Sequence, residues 1–191
     1  LKEKMIDFKD NFGLPDMTYG WSKLTGEYLA KIAHEKYKLN IGIVRPFSGY
    51  GGDQDLTYPV PSIALRVANN DNPVIVWGDG NQTRDFVHIN DCIDICIKVC
   101  RRINNANAFN IGSGKSTSFK KLAKLLIDLE KYNTYVKPLK KRPVGVMNRF
   151  SNNLKTKKIL NWTPKISLEV GMKMVLDEAH IRLKKGIKPT Y

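Results

Sequence analysis

Short β-rich runs alternate with amphipathic helical segments along this chain, and that alternation limits its fold more than any other feature. Leu24, Tyr28, Leu29, Ile32 and Ala33 recur at helical spacing, which predicts a long helix over Met17–Lys38 ended by Asn40. Ile41–Arg45 is β-rich, Pro46–Pro61 reads as a loop, and Ser62–Asn70 reads as a helix. Val74–Trp77 predicts a strand closed by the turn Gly78-Asp79-Gly80, and Phe86–Ile89 a second strand, with Asp91 capping a helix that runs to Arg102. Ala108–Ile111 predicts a strand and Ser116–Leu129 a helix, capped by Ser116 or Thr117. A strand at Tyr135–Lys137, helices at Leu154–Leu160 and Leu168–Lys185, and a loose tail at Gly186–Tyr191 complete the pattern. Strands alternating with helices indicate an α/β fold.

At 191 residues and 42% hydrophobic content the chain can bury a core, as one domain or one large domain with an appendage. No apolar run approaches the roughly 20 residues of a membrane span. Leu1–Phe12 mixes charged and apolar residues and does not read as a signal peptide. The chain opens on leucine, so a trimmed or partial chain is expected. The net charge of +14 has three readings: lysines on solvated helix faces, attraction of a small anion, and nucleic-acid binding. The lysines are scattered, as at Lys120, Lys121, Lys124 and Lys131, and dense only over Lys137–Arg142. That scatter ranks the first reading highest and nucleic acid last.

Cys92, Cys96 and Cys100 are an odd set within nine residues, which is no disulfide framework. Their spacing stacks them on one helix face, as buried small apolar side chains rather than metal ligands. A reduced, cytoplasmic compartment fits them.

Tyr19 and Lys23 share a helix face. A phenol is a poor base at neutral pH, and an ammonium beside it favours the phenolate. Such a pair can take a proton from a sugar hydroxyl as hydride leaves the carbon. Alone, the pair is no more than chance spacing on a lysine-rich helix. Its neighbours give it weight: Tyr19-Gly-Trp-Ser-Lys23-Leu-Thr-Gly-Glu27, then Arg45-Pro-Phe-Ser-Gly-Tyr-Gly51, Val76-Trp-Gly-Asp-Gly-Asn-Gln-Thr-Arg-Asp-Phe-Val-His88, Phe109-Asn-Ile-Gly-Ser-Gly114 and Leu160-Asn-Trp-Thr-Pro164.

Five such motifs in this order resemble the extended short-chain dehydrogenase/reductase family, in its branch of nucleoside-diphosphate-sugar epimerases and dehydratases. The resemblance runs from about Met17 to Glu178. It implies the C-terminal part of a Rossmann-type parallel-sheet domain plus a small α/β substrate-binding domain. The first would occupy residues 1–50, the second mainly 51–185, with 80–115 partly returning to the Rossmann sheet and 186–191 as a tail. It implies epimerisation of a nucleoside-diphosphate sugar through a transient keto sugar, with a 4,6-dehydratase as the alternative reaction. A catalytically inactive basic nucleotide-binding module is the alternative of another class. The implied cofactor is NAD, with NADP left open. The implied partners are a nucleoside-diphosphate sugar and a second copy of the chain, packed through Met17–Lys38, with neither membrane nor nucleic acid.

The resemblance also assigns roles. Tyr19 would be the catalytic acid/base, and Lys23 would hold the nicotinamide ribose and tune Tyr19. Pro46 and Phe47 would lie near the nicotinamide. Ser48 stands where the family usually has a substrate-contacting asparagine. Trp77 would pack near the base, and Arg84 would bind the diphosphate with a guanidinium fork suited to phosphate oxygens. Arg142 resembles a second diphosphate-binding arginine. For Arg84 the plainer role is a surface ion pair, for Trp77 core packing, and for Arg142 solvation within its basic cluster. Gly52, Asn161 and Gly145 also depart from the family pattern, and with Ser48 they leave base and sugar specificity open.

Gly112-Ser-Gly-Lys-Ser-Thr117 imitates a phosphate-binding loop, but Phe109 stands where that motif needs glycine, so a strand-to-helix turn is expected. His88, in an apolar strand, is expected to be a hydrogen-bonded structural histidine. No Gly-rich dinucleotide fingerprint occurs in the chain. The resemblance puts that turn, and the family's catalytic serine or threonine, upstream of Leu1. The 191 residues alone are therefore expected to be inactive.

Overall fold

The computed structural model describes residues 18–142 and 145–189. The readings placed on Leu1–Met17, Pro143–Val144 and Thr190–Tyr191 lie outside the described residues. The chain opens with α1 (Tyr19–Tyr37), which ends where Lys38 turns left-handed. Then come β1 (Ile43–Pro46), β2 (Ser48–Tyr50), α2 (Pro59–Ala68), β3 (Val74–Trp77), β4 (Thr83–Arg84), β5 (Phe86–His88) and α3 (Ile89–Arg102). The second half holds β6 (Ala108–Ile111), β7 (Thr117–Ser118), α4 (Phe119–Glu130), β8 (Val136–Leu139), β9 (Asn148–Arg149), α5 (Leu154–Leu160) and α6 (Leu168–Lys184).

Three strand pairs are parallel: β1 with β6, β2 with β5, and β3 with β8. In a fourth small sheet β4 lies between β7, antiparallel, and β9, parallel. The α/β expectation therefore holds, with parallel pairing dominant.

Two apolar cores form. One gathers α2, β3, α4 and α6, with Leu65, Val74, Val76, Leu122, Leu126, Met172 and Leu176 almost wholly buried. The other gathers β6, α3 and α5 around Phe109, Ile111, Ile95 and Leu160, closed by Trp162. The Trp162 indole donates to Asp94 Oδ2 at 2.8 Å, so the Asn161-Trp-Thr-Pro164 segment docks on α3. No residue of α1 is buried: Leu24 and Ile32 are half-buried, and Tyr28 and Leu29 are exposed. Among the described residues no helix is long and apolar enough to cross a membrane.

Several local expectations need correction. The loop read over Pro46–Pro61 contains β2, because Ser48–Tyr50 is recruited as a parallel neighbour of Phe86–His88. Helix α2 starts at Pro59, not Ser62, since proline suits the first turn, where its missing N–H costs nothing. His88 rather than Asp91 caps α3: its Nδ1 accepts from Asn90 N at 3.2 Å. Asp91 is used elsewhere, accepting Lys165 N and Ile166 N at 3.0 Å each ahead of α6. Ser118, not Ser116 or Thr117, caps α4 by accepting from Lys121 N. Of the cysteines only Cys92 is buried; Cys96 is half-buried and Cys100 exposed. Steps of four residues drift about 40° around a 3.6-residue helix each time, so the row leaves the buried face.

Candidate functional site

A cavity of about 540 Å³ opens between β2, the 54–66 segment, β3 and the start of α4. Phe47, Ser48, Trp77 and Arg84 all line it, so four of the residues singled out in the sequence share one wall system. Gln54, Tyr58, Arg66, Gln82 and Phe119 line it too, and the sequence reading gave none of them a role. Gln82 stood within a quoted motif, which was the available signal. Gln54 and Tyr58 lie in the segment read as loop, Arg66 in the last turn of α2 and Phe119 at the start of α4, where no pattern marks a wall.

Arg84 crosses the face of Phe119, its guanidinium carbon 5.7 Å from the ring centroid. Its Nη1 donates to Thr83 O at 2.7 Å and Val146 O at 2.6 Å. No carboxylate pairs with it among the described residues. Burial, and then the neighbouring Arg149 charge, push its pKa below the ordinary arginine value. A guanidinium still keeps its proton at such a site.

Trp77 is 42% exposed at the end of β3, with the Arg142 guanidinium 5.2 Å from its ring centroid. Core packing is therefore not its role, and Arg142 is not simply a solvated member of its cluster. Gln82 Nε2 donates to Trp77 O at 2.9 Å and anchors the tryptophan's backbone from a buried position.

Next to Arg84, Asp85 is fully buried and gathers five donors. Its Oδ1 accepts from Ser113 N at 2.7 Å and Ser113 Oγ at 2.6 Å. Its Oδ2 accepts from Gly114 N at 3.0 Å, Ser151 N at 2.9 Å and Ser151 Oγ at 2.6 Å. This explains the imitation phosphate loop. The N–H groups of the Gly112–Gly114 turn do bind an anion, but it is the chain's own carboxylate. Gly112 is required there, because a Cβ would stand 2.9 Å from Asp85 Cγ.

Pro46 ends β1 and does not line the cavity. Phe47 N donates to Ile111 O at 2.9 Å, which sets both residues at the carboxyl ends of the parallel β1 and β6. Tyr19 and Lys23 lie apart from the cavity wall, on α1. Lys23 Nζ sits 5.2 Å from the Tyr19 ring centroid, and Tyr19 is 68% exposed. His88 is buried, caps α3 and meets the Tyr50 ring edge-on at 5.3 Å, a structural role as expected. Among the described residues no group of three His, Cys, Asp or Glu could hold a metal ion.

A model of the NAD-dependent epimerase/dehydratase family matches residues 7–112, more than half of the chain. The chain belongs to the NAD-dependent epimerase/dehydratase family. Among relatives, UDP-glucuronate 4-epimerase of Thermodesulfobacterium geofontis is 30% identical over 91% of this chain and 54% of its own length. Two solved structures of epimerases show the likeness in three dimensions. UDP-glucose 4-epimerase from Thermotoga maritima, with UDP-glucose, has TM-score 0.75 and 28% identity, covering 87% of this chain and 54% of that one. UDP-glucuronic acid 4-epimerase from Bacillus cereus, with UDP-glucuronic acid and NAD, has TM-score 0.74 and 27% identity, covering 84% and 52%. The chain thus spans about half the length of the epimerase/dehydratase relatives it matches.

Proposed function

We propose that this chain is the sugar-nucleotide-holding part of an NAD-dependent nucleotide-sugar epimerase. The observation that carries the reading is the cavity itself, which Arg84 lines with Ser48 and Trp77, with no acid paired to Arg84 among the described residues, and with Arg142 stacked on Trp77. A cavity with an aromatic wall and the Arg84 guanidinium on its lining suits a base attached to a diphosphate. Arg84 and Arg142 bind the diphosphate, Trp77 packs near the base, and Ser48 faces the sugar side.

The residues here fit one end of the cofactor. Pro46 and Phe47 stand at the carboxyl ends of parallel strands, where α/β sheets receive ligands, and Tyr19 and Lys23 offer exposed polar groups from one helix face. These four would hold the nicotinamide ribose of NAD, with NADP as the variant. Bound NAD supplies the hydride acceptor and donor. Tyr19 takes the proton from a sugar hydroxyl and returns it when the keto sugar is reduced on its other face. Lys23 stands beside Tyr19 on the same helix face, its Nζ 5.2 Å from the tyrosine ring centroid.

The two apolar cores support a division into a Rossmann part, 1–50 with some of 80–115, and a substrate part over most of 51–185. The unburied face of α1, with Tyr28 64% and Leu29 57% exposed, supports a homodimer through Met17–Lys38. A strictly monomeric mass by light scattering at high concentration would count against that pairing. We place the enzyme in carbohydrate biosynthesis in the cytoplasm.

Steady-state kinetics of the whole protein with UDP-, GDP- and dTDP-sugars test the assignment. Tyr19→Phe keeps the ring and removes the hydroxyl, so kcat should fall by about 10²–10⁴ with sugar-nucleotide binding nearly intact. Wild-type turnover in that variant would remove Tyr19 from the proton transfer, and binding without turnover on any of these sugars would favour an inactive basic nucleotide-binding module instead.

A further inference from the structure

Strands β4 and β9 run parallel in the register Thr83↔Asn148 and Arg84↔Arg149. The first pair meets through its side chains, Thr83 Oγ1 donating to Asn148 Oδ1 at 3.0 Å. Side chains alternate along a strand, so the next pair, Arg84 and Arg149, is directed to the opposite face together. Strand β9 is held in place, since Thr83 N donates to Met147 O at 2.7 Å.

Two guanidinium groups in register repel each other, and the Arg84 pKa is lowered first by burial and then by the Arg149 charge. Like charges directly opposite each other on paired strands are destabilising. The chain has 18 acidic residues, yet none pairs with either arginine among the described residues. Near the Arg84 Nη2 end stands Gly145, where a Cβ would be 3.8 Å away. An acidic side chain there would reach the guanidinium, and glycine leaves it open. Arg84 lines the cavity and Arg149 is exposed on the adjacent strand.

We infer that Arg149 is a second cationic arm at the Arg84 end of the cavity, so that the in-register pair selects a ligand with two adjacent negative charges, a nucleoside diphosphate over a monophosphate. The inference rests on the nucleotide-sugar reading of the cavity. Arg84 approaches from the wall and Arg149 from the neighbouring strand, and a diphosphate offers oxygens on two phosphorus centres to meet them.

The test is calorimetry on the whole protein with UDP, GDP and dTDP and with UMP, GMP and dTMP, at low and moderate salt. Arg149→Gln should weaken the best-bound diphosphate about tenfold, the scale of one charged hydrogen bond. It should leave the matching monophosphate within about twofold and flatten the salt dependence of diphosphate binding. Arg149→Lys should keep a large part of the preference, since the charge remains. An unchanged diphosphate-to-monophosphate ratio in Arg149→Gln, with Arg84→Gln weakened, overturns the second arm alone. If Arg84→Gln also binds every diphosphate as the wild type does, the nucleotide-sugar reading of the cavity falls with it.

Discussion

Arg45 of β1 forks onto the Glu27 carboxylate of α1, its Nε 2.7 Å from Oε1 and its Nη2 2.6 Å from Oε2. Glu27 lies two turns beyond Tyr19 on the same helix, and Arg45 directly precedes Pro46. The pair therefore ties the helix that carries the proposed acid/base to the strand that leads into the proposed nicotinamide site. Because α1 buries no residue, a tether of this kind weighs heavily in its placement. Glu27→Gln should loosen α1 by about 1.5–3 kcal/mol, the range for hydrogen bonds to charged groups. Hydrogen exchange of the α1 amides should quicken accordingly while α4 stays protected. Unchanged α1 protection would show that other contacts hold the helix.

Asp85→Asn keeps the shape of the side chain and replaces one acceptor oxygen with a donor. Each Asp85 oxygen receives at least one backbone N–H, so whichever way the amide turns, a buried donor faces another donor. A buried polar group left unsatisfied costs about 1–3 kcal/mol, and here two or more are disturbed. We expect a loss of about 2–5 kcal/mol in urea unfolding, with a lower midpoint and an unchanged slope. A variant as stable as wild type would mean that the turn relaxes around the amide.

Gly171→Ala tests a close approach. Helix α6 passes over Tyr50 so tightly that a Cβ at residue 171 would stand on the Tyr50 hydroxyl and 2.8 Å from its Cζ. Overpacking of this kind costs about 1–3 kcal/mol. Adding Tyr50→Phe removes the hydroxyl and should recover part of that loss, which a double-mutant cycle on thermal midpoints would read. Additive effects would place the strain elsewhere.

His88 should make stability depend on pH. Burial pushes its imidazole below the ordinary value of 6.5, and the Asp91 charge opposes that only in part. With the folded value below the unfolded one, the contribution is fully present above about pH 6.5 and is lost as pH falls through the folded value. Protonation would also remove the Nδ1 acceptor that caps Asn90. His88→Asn, which keeps a capping acceptor, should be less stable at pH 8 but lose less between pH 7 and pH 5 in thermal melts. Parallel losses in both proteins would assign the pH response to other groups.

Much of the fold was legible because the period of the apolar residues is local information. Val74–Trp77, Ala108–Ile111 and Leu154–Leu160 appear with the bounds read from the sequence. Two of the misreadings share a cause, which is recruitment of a polar group or a backbone edge by a distant segment. Asp91 looks like a cap until Lys165 and Ile166 claim its carboxylate. Ser48–Tyr50 looks like a loop until Phe86–His88 offers it a ladder. In the site, the motif residues Phe47, Ser48, Trp77 and Arg84 converge on one cavity, whereas Phe119 and Arg149 became visible only through their neighbours. No pattern in the chain announces that two arginines 65 positions apart stand side by side.

Arg84 and Asp85 are adjacent along the chain and carry opposite duties, one charge open to the cavity and the other spent inside the fold. A genetic screen scored on activity would confuse them. Damage at Asp85 would slacken the turn behind it and swing its neighbour's guanidinium away, so the clone would register as a ligand-contact defect. Only a stability measurement alongside the activity score would separate the hand from the wrist that steadies it.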